Sequence, residues 1–234
     1  MTYDLVTGIE WYLVFLFSTT LHEAAHAWTA LKLGDDTAHR GGQVSLDPSA
    51  HIRRAPFGMV VVPILSYLLG GWMIGWASAP YDPHWAVNNP KRSGLMSLAG
   101  PASNLLLVVI AGLLIRMGMG LHYFEAPESI KFSHVVAAQT SSGNFLATML
   151  SIFFSLNILL CAFNLLPLPP LDGSGALLLF VKPSAAEHVL SVLGNPQLRL
   201  FGLFVAWKLF DYVFPTIHLA AINVLYLGSS HYQM

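Results

Sequence analysis

An all-α polytopic membrane protein, with about five to six transmembrane or re-entrant helices and a small β-hairpin or strand beside its functional residues, is the fold class this sequence predicts. Three observations carry that reading. Only 10% of the 234 residues are charged and 55% are hydrophobic, with a mean hydropathy of +0.60, whereas a soluble domain is roughly 25% charged. Apolar stretches of spanning length recur, at Ile9 to Leu33, Ser93 to Met119, Gly143 to Leu166 and Leu200 to Leu227, and about 20 apolar residues are enough to cross a bilayer as a helix. No soluble domain of any size fits between them. The chain therefore reads as one membrane-embedded domain over residues 1–234, with a core at 9–181 and C-terminal helices at 196–228.

Charge and cysteine content exclude other classes. A net charge of −1 and a pI near 6.8 leave no basic face for nucleic acid. The single cysteine, Cys161, lies in an apolar run, so neither a disulfide framework nor a cysteine-based zinc site can form. Met1 to Gly8 has no Lys or Arg and no small-residue cleavage site follows, so the first apolar segment is expected to be a retained helix.

That first segment contains His22-Glu23-Ala24-Ala25-His26. Residues four apart share a helical face, so His22 and His26 can offer imidazole nitrogens to one metal ion, with Glu23 alongside. The spacing suits one Zn²⁺; a water acidified at such a site could give its proton to Glu23, which passes it to a leaving amine. Ionisable residues are costly inside a bilayer, which favours a functional reading over a chance match. Ser18, His22, His26 and Thr29 form a stripe facing a water-accessible cavity, and the helix should stop at Lys32 to Gly34.

Asp35 to Ala55 is the most polar part of the chain. Gln43-Val44-Ser45-Leu46-Asp47 alternates between a Gly pair and Pro48 and reads as a short strand whose edge could bind an unwound substrate. His39 and His51 also lie here and are weak candidates for the metal. Pro56 to Ala79 is apolar but interrupted by Pro63, Gly70, Gly71 and Gly75, so it either spans or re-enters. In the next span, Gly100-Pro101-Ala102-Ser103-Asn104 would let helices approach closely, and Asn104 could bond across the gap or to a substrate peptide. The following span ends at Asn164-Leu165-Leu166-Pro167-Leu168-Pro169-Pro170-Leu171-Asp172-Gly173. Three prolines in four positions force extended backbone and present Asp172 at a fixed place. A lone carboxylate among leucines needs a partner, and the histidine pair needs a third ligand. In the last apolar region, broken at Pro215, Asp211 and His218 could pair with each other.

With those three motifs in that order, the chain resembles the site-2 protease family of intramembrane zinc metalloproteases, from the first helix to Gly173. HExxH, GPxxN and NxxPxPxLDG all match, and the 42–48 strand and Gly75-Trp76 look like the compact bacterial branch, without an inserted PDZ-like domain. The resemblance implies one zinc ion held by His22, His26 and Asp172, Glu23 as general base, and Asn164 and Asn104 holding substrate backbone or oxyanion. It implies a transmembrane protein or peptide as substrate, cleaved within or near its membrane segment in regulated intramembrane proteolysis. The rival readings are an inactive zinc-binding scaffold and a membrane transporter; homo-oligomerisation stays open.

Topology constrains the second apolar stretch. Lys32, Arg40, Arg53, Arg54, Lys91 and Arg92 cluster around the first loop, while Gly120 to Ser142 carries only Lys131. Both basic groups are then cytoplasmic, in a bacterial cytoplasmic membrane with the active site toward the cytoplasm. A full crossing by Pro56 to Ala79 would put Asp172 on the wrong face, so this stretch should re-enter or return as an extended hairpin.

Overall fold

The computed structural model describes residues 4–228. Helix α1 (Leu5–Leu33) opens where the Asp4 carboxylate accepts the Thr7 amide and closes at Gly34, whose φ of 104° permits the left-handed cap. Its 29 residues make about 43 Å, more than the ~30 Å hydrocarbon core. Asp35 follows and anchors the connection: its carboxylate accepts the Thr37 amide and hydroxyl and the amide of Asp82. Burial pushes this carboxyl up, but those bonds outweigh it and hold it below the usual carboxylate range.

Short helices α2 (Thr37–Arg40) and α3 (Pro48–Arg54) follow. Between them the chain bends without a strand ladder. The apolar/polar alternation there belongs to a turn leading into a helix. Ser45 Oγ accepts the Asp47 amide, and Asp47 caps α3 through the Ser49 amide. The small sheet lies elsewhere.

A π-helical turn, Phe57–Val61, leads into α4 (Val62–Gly70), and this pair bends 113° away from α3. Gly71, at φ 76°, reverses the chain, which then runs extended back to Tyr81. The returning Trp76 amide donates to the Gly58 carbonyl at 3.1 Å. At the tip, Tyr67 donates its hydroxyl to the Asp4 carbonyl beside the start of α1. At the other end, the Ser78 carbonyl accepts from Gln43 and Arg54, and Asp82 reaches Asp35. Both ends of the excursion thus lie beside the C-terminal end of α1, so the segment runs out and returns as a hairpin with an extended second arm, one of the two forms expected from the sequence. A Cβ on Gly75 would fall 2.2 Å from the Gly58 carbonyl oxygen. Gly75→Ala is therefore expected to cost about 1–3 kcal/mol through overpacking; a melting midpoint in detergent equal to that of the wild type would refute so close a pass.

Helix α5 (Pro83–Asn88) leads into α6 (Pro90–Gly120), whose start is held to α1 by Trp85 and Arg92 donating to the Leu33 carbonyl. Past α6, β1 (Phe124–Glu125) pairs antiparallel with β2 (Ala137–Ala138), Phe124 opposite Ala138. This sheet sits about 30 Å down α6 from Gly100. α7 (Asn144–Asn164) returns, followed by α8 (Asp172–Ala176), α9 (Pro183–Leu193) and α10 (Pro196–Leu225), which continues unbroken through Pro215. α6, α7 and α10 are long and apolar enough to cross a membrane, and α1 packs against α6 and α7, so the all-α polytopic reading holds.

Two apolar clusters hold the bundle. Ile115, Phe124, Val135, Phe154 and Tyr226 join α6, α7, α10 and the 121–140 loop. Trp11, Phe15, Tyr67, Met73, Ile152 and Leu156 join α1, the hairpin and α7. Loop and helix are also tied by polar bonds, since Ser151 Oγ accepts the Val135 and Val136 amides and Tyr226 donates to the Val135 carbonyl.

Candidate metal centre

Helical spacing brings the two α1 imidazoles together as the sequence requires: His22 Nε2 and His26 Nε2 lie 3.1 Å apart. The proline-rich segment after α7 delivers Asp172 to the same point. Its Oδ2 is 3.0 Å from His22 Nε2 and 3.3 Å from His26 Nε2. Two glycines permit this approach. A Cβ on Gly173 would fall 2.3 Å from the Leu165 carbonyl oxygen, and one on Gly175 would fall 2.3 Å from Ser97 Oγ, so the first turn of α8 can press against the end of α7 and against α6.

The wall facing the imidazoles is the backbone of α6. A Cβ on Gly100 would lie 2.3 Å from His26 Nε2 and 2.5 Å from His22 Nε2, so only glycine fits. Each imidazole is also held from behind. His26 Nδ1 is 2.7 Å from the Met96 carbonyl, and His22 Nδ1 is bonded to Asn104 Oδ1. A carbonyl oxygen can only accept, so His26 Nδ1 carries its proton and its Nε2 presents a lone pair. Asp172 Oδ2 is buried and, among the described residues, meets no polar partner except these two imidazole nitrogens. Lone pairs converging on one point repel unless a cation lies among them. The donor set of two imidazoles and a carboxylate, all within 4.8 Å, suits Zn²⁺ with one position open.

Glu23 lies next to this centre on α1, 6% exposed, and makes no hydrogen bond or ion pair among the described residues. An unpaired buried carboxylate one residue from a metal ligand is available as a proton acceptor.

The sequence model of peptidase family M50 matches residues 11–206, a segment that includes every residue of this centre. The chain belongs to peptidase family M50. It is similar to "Putative zinc metalloprotease YwhC" of Bacillus subtilis, 33% identical over 223 residues that cover 94% of this chain and 91% of the relative. It is 31% identical over 205 residues to "Putative zinc metalloprotease Rip2" of Mycobacterium tuberculosis, covering 87% and 70%. The Rip2 of Mycolicibacterium smegmatis is 30% identical over 163 residues, 70% of this chain and 54% of that relative. No solved structure matches. An M50 chain with zinc-metalloprotease relatives and three converging ligands supports a zinc metallopeptidase function, and its apolar helices agree with an integral membrane protein.

Other expected M50 site residues divide. Asn104 is fully buried, its oxygen on His22 and its nitrogen on Asn157 at 2.8 Å. Both ends of the amide are engaged, in the helix-to-helix bond that the sequence allowed beside a substrate contact. Asn164 is half-buried and donates to the Leu160 carbonyl of its own helix, and its oxygen takes no hydrogen bond among the described residues. His51 bonds the Ser45 carbonyl and His39 is exposed, and neither joins the cluster. His218 does not pair with the exposed Asp211; it bonds Ser155 at 2.9 Å and packs in a three-ring cluster with Phe132 and Phe214. Sequence reading did not single out Asn157, Met96 or Gly175. Met96 acts through its backbone and leaves no side-chain signal.

Proposed function

We propose that this M50 chain is an intramembrane zinc metalloprotease, folded as one membrane-embedded unit over residues 1–234, that hydrolyses peptide bonds within or near transmembrane segments of membrane proteins. The observation that carries the proposal is the convergence of His22, His26 and Asp172 beside the unpaired Glu23, deep within a helical bundle. His22 lies eleven residues, or about 16 Å, from the C-terminal end of α1, so substrate must be brought below the helix ends. His22, His26 and Asp172 would hold a single Zn²⁺, which when bound supplies Lewis acidity and an acidified water.

Glu23 takes a proton from the attacking water and returns it to the leaving amine. The Asn164 oxygen, with an amide that would exchange its Leu160 bond for a substrate carbonyl, is suited to holding the peptide backbone. A helical substrate amide is shielded by its own hydrogen bonds, so the substrate must be unwound near the cut. Val44, Ser45 and Leu46 line a cleft with Leu21, Ala24, Ala25 and Trp28 on the same turns of α1 that carry the histidines.

Sidedness follows from charge. Lys32, Arg40, Arg53, Arg54, Lys91 and Arg92 all lie at the α1 C-terminal side, which argues for a cytoplasmic orientation of that face, in the cytoplasmic membrane of a bacterium, given the bacterial relatives. Purified protein should cut a reconstituted single-span substrate, lose that activity to a chelator and regain it with Zn²⁺. Protein that holds one zinc per chain yet leaves a panel of helix-destabilised substrates intact would favour the scaffold reading instead.

A further inference from the structure

We infer that Asn157 sets the tautomer of His22, and with it the readiness of that imidazole to bind metal, through a side-chain relay that starts at the Phe153 carbonyl. The inference rests on the zinc reading above, but its central claim concerns a proton and can be measured without the metal.

The relay can be read in one direction only. The Phe153 carbonyl accepts and cannot donate. The Asn157 atom lying 2.8 Å from it must therefore be the amide nitrogen, which also donates to Ser18 Oγ at 2.9 Å. That turns the Asn157 oxygen toward Asn104, 2.8 Å away, so the facing Asn104 atom must be its nitrogen. The Asn104 oxygen then faces His22 Nδ1. An oxygen there requires a proton on Nδ1, leaving the Nε2 lone pair directed at His26 and Asp172. One backbone carbonyl thus fixes two amide orientations and one imidazole tautomer across three helices.

Burial makes the relay binding. Ser18, Asn104 and Asn157 are each 0% exposed, so water cannot replace a missing partner, and a wrong orientation would leave buried groups unpaired. His26 needs no such chain, because the Met96 carbonyl fixes it directly. The two imidazoles therefore respond differently to the same substitution. Asn157 is a positioning residue, acting on the ligand through Asn104 in the way that outer partners orient metal-bound histidines.

The test compares wild type, Asn157→Leu and Ser18→Ala as full-length protein in detergent, by competitive zinc titration and by ¹⁵N NMR of histidine-labelled samples, zinc-loaded and after chelation. Wild type should show a protonated Nδ1 on both His22 and His26. Asn157→Leu frees the Asn104 amide to turn over, so zinc affinity should fall about 10–100-fold, with His22 losing its fixed tautomer and His26 keeping it. Ser18→Ala should stay within about threefold, because the Phe153 carbonyl still sets the direction. An unprotonated His22 Nδ1 in wild type, a wild-type His22 spectrum in Asn157→Leu, or loss of the tautomer in Ser18→Ala would each overturn the inference. If Asn157→Leu does not fold, the wild-type and Ser18→Ala spectra still decide it. Wild type that binds no zinc would defeat the metal reading separately, and the spectrum after chelation would still judge the relay.

Discussion

Glu23→Gln is expected to abolish cleavage while leaving zinc bound. Gln keeps the size and shape of the side chain but has no carboxylate to accept a proton at neutral pH. Glu23 is buried and takes no hydrogen bond or ion pair among the described residues, so no structural bond is lost with its charge. General acid–base participation contributes on the order of 10²–10⁴-fold, and turnover should fall by at least that much. The metal ligands are not touched, so zinc content should stay at the wild-type level. Metal analysis and turnover measured on the same preparation test both halves. Turnover of a reconstituted substrate within tenfold of the wild type would remove Glu23 from the chemistry, and loss of zinc would make it a structural residue.

What the sequence made legible follows from which features have a local cause. The pairing of His22 with His26 needs only the helical period, and both imidazoles meet in the structure. The return of Asp172 needed the prolines at 167, 169 and 170 to stop a helix, and the carboxylate lands 3.0 Å from His22 Nε2. The hairpin was readable because Pro63, Gly70, Gly71 and Gly75 interrupt the apolar stretch and the spread of basic residues argues against a simple crossing. Other features have non-local causes. Alternation in 43–47 looked like a strand, but a strand needs a partner along its edge, and Asp47 before Pro48 instead caps a helix. The role of Asn104 depended on which helix faced it, and the facing residue, Asn157, is one asparagine in an apolar run with no motif around it. Asp211 and His218 sit seven apart on one helix, yet the imidazole turns inward to Ser155 because the aromatic faces of Phe132 and Phe214 accommodate it.

The same contrast between local and long-range causes separates two ways of emptying the metal centre. Asp172→Ala removes one of three converging ligands and leaves the imidazoles in place, since Met96, Asn104 and the wall at Gly100 still hold them. Removing an outer partner of a metal-bound histidine costs about 10–100-fold in affinity, so losing a direct ligand should cost at least about a hundredfold. Zinc should be absent from the purified variant and turnover undetectable. Stability should also depend on metal loading. Zinc-loaded wild type should melt above the variant through ligand linkage. In the metal-free protein Asp172 Oδ2 meets only the His22 and His26 imidazoles, so chelation should remove most of that difference. Because Asp172 is about 150 residues from the histidines, a variant that keeps stoichiometric zinc would show that the late carboxylate folds back for some purpose other than holding the metal.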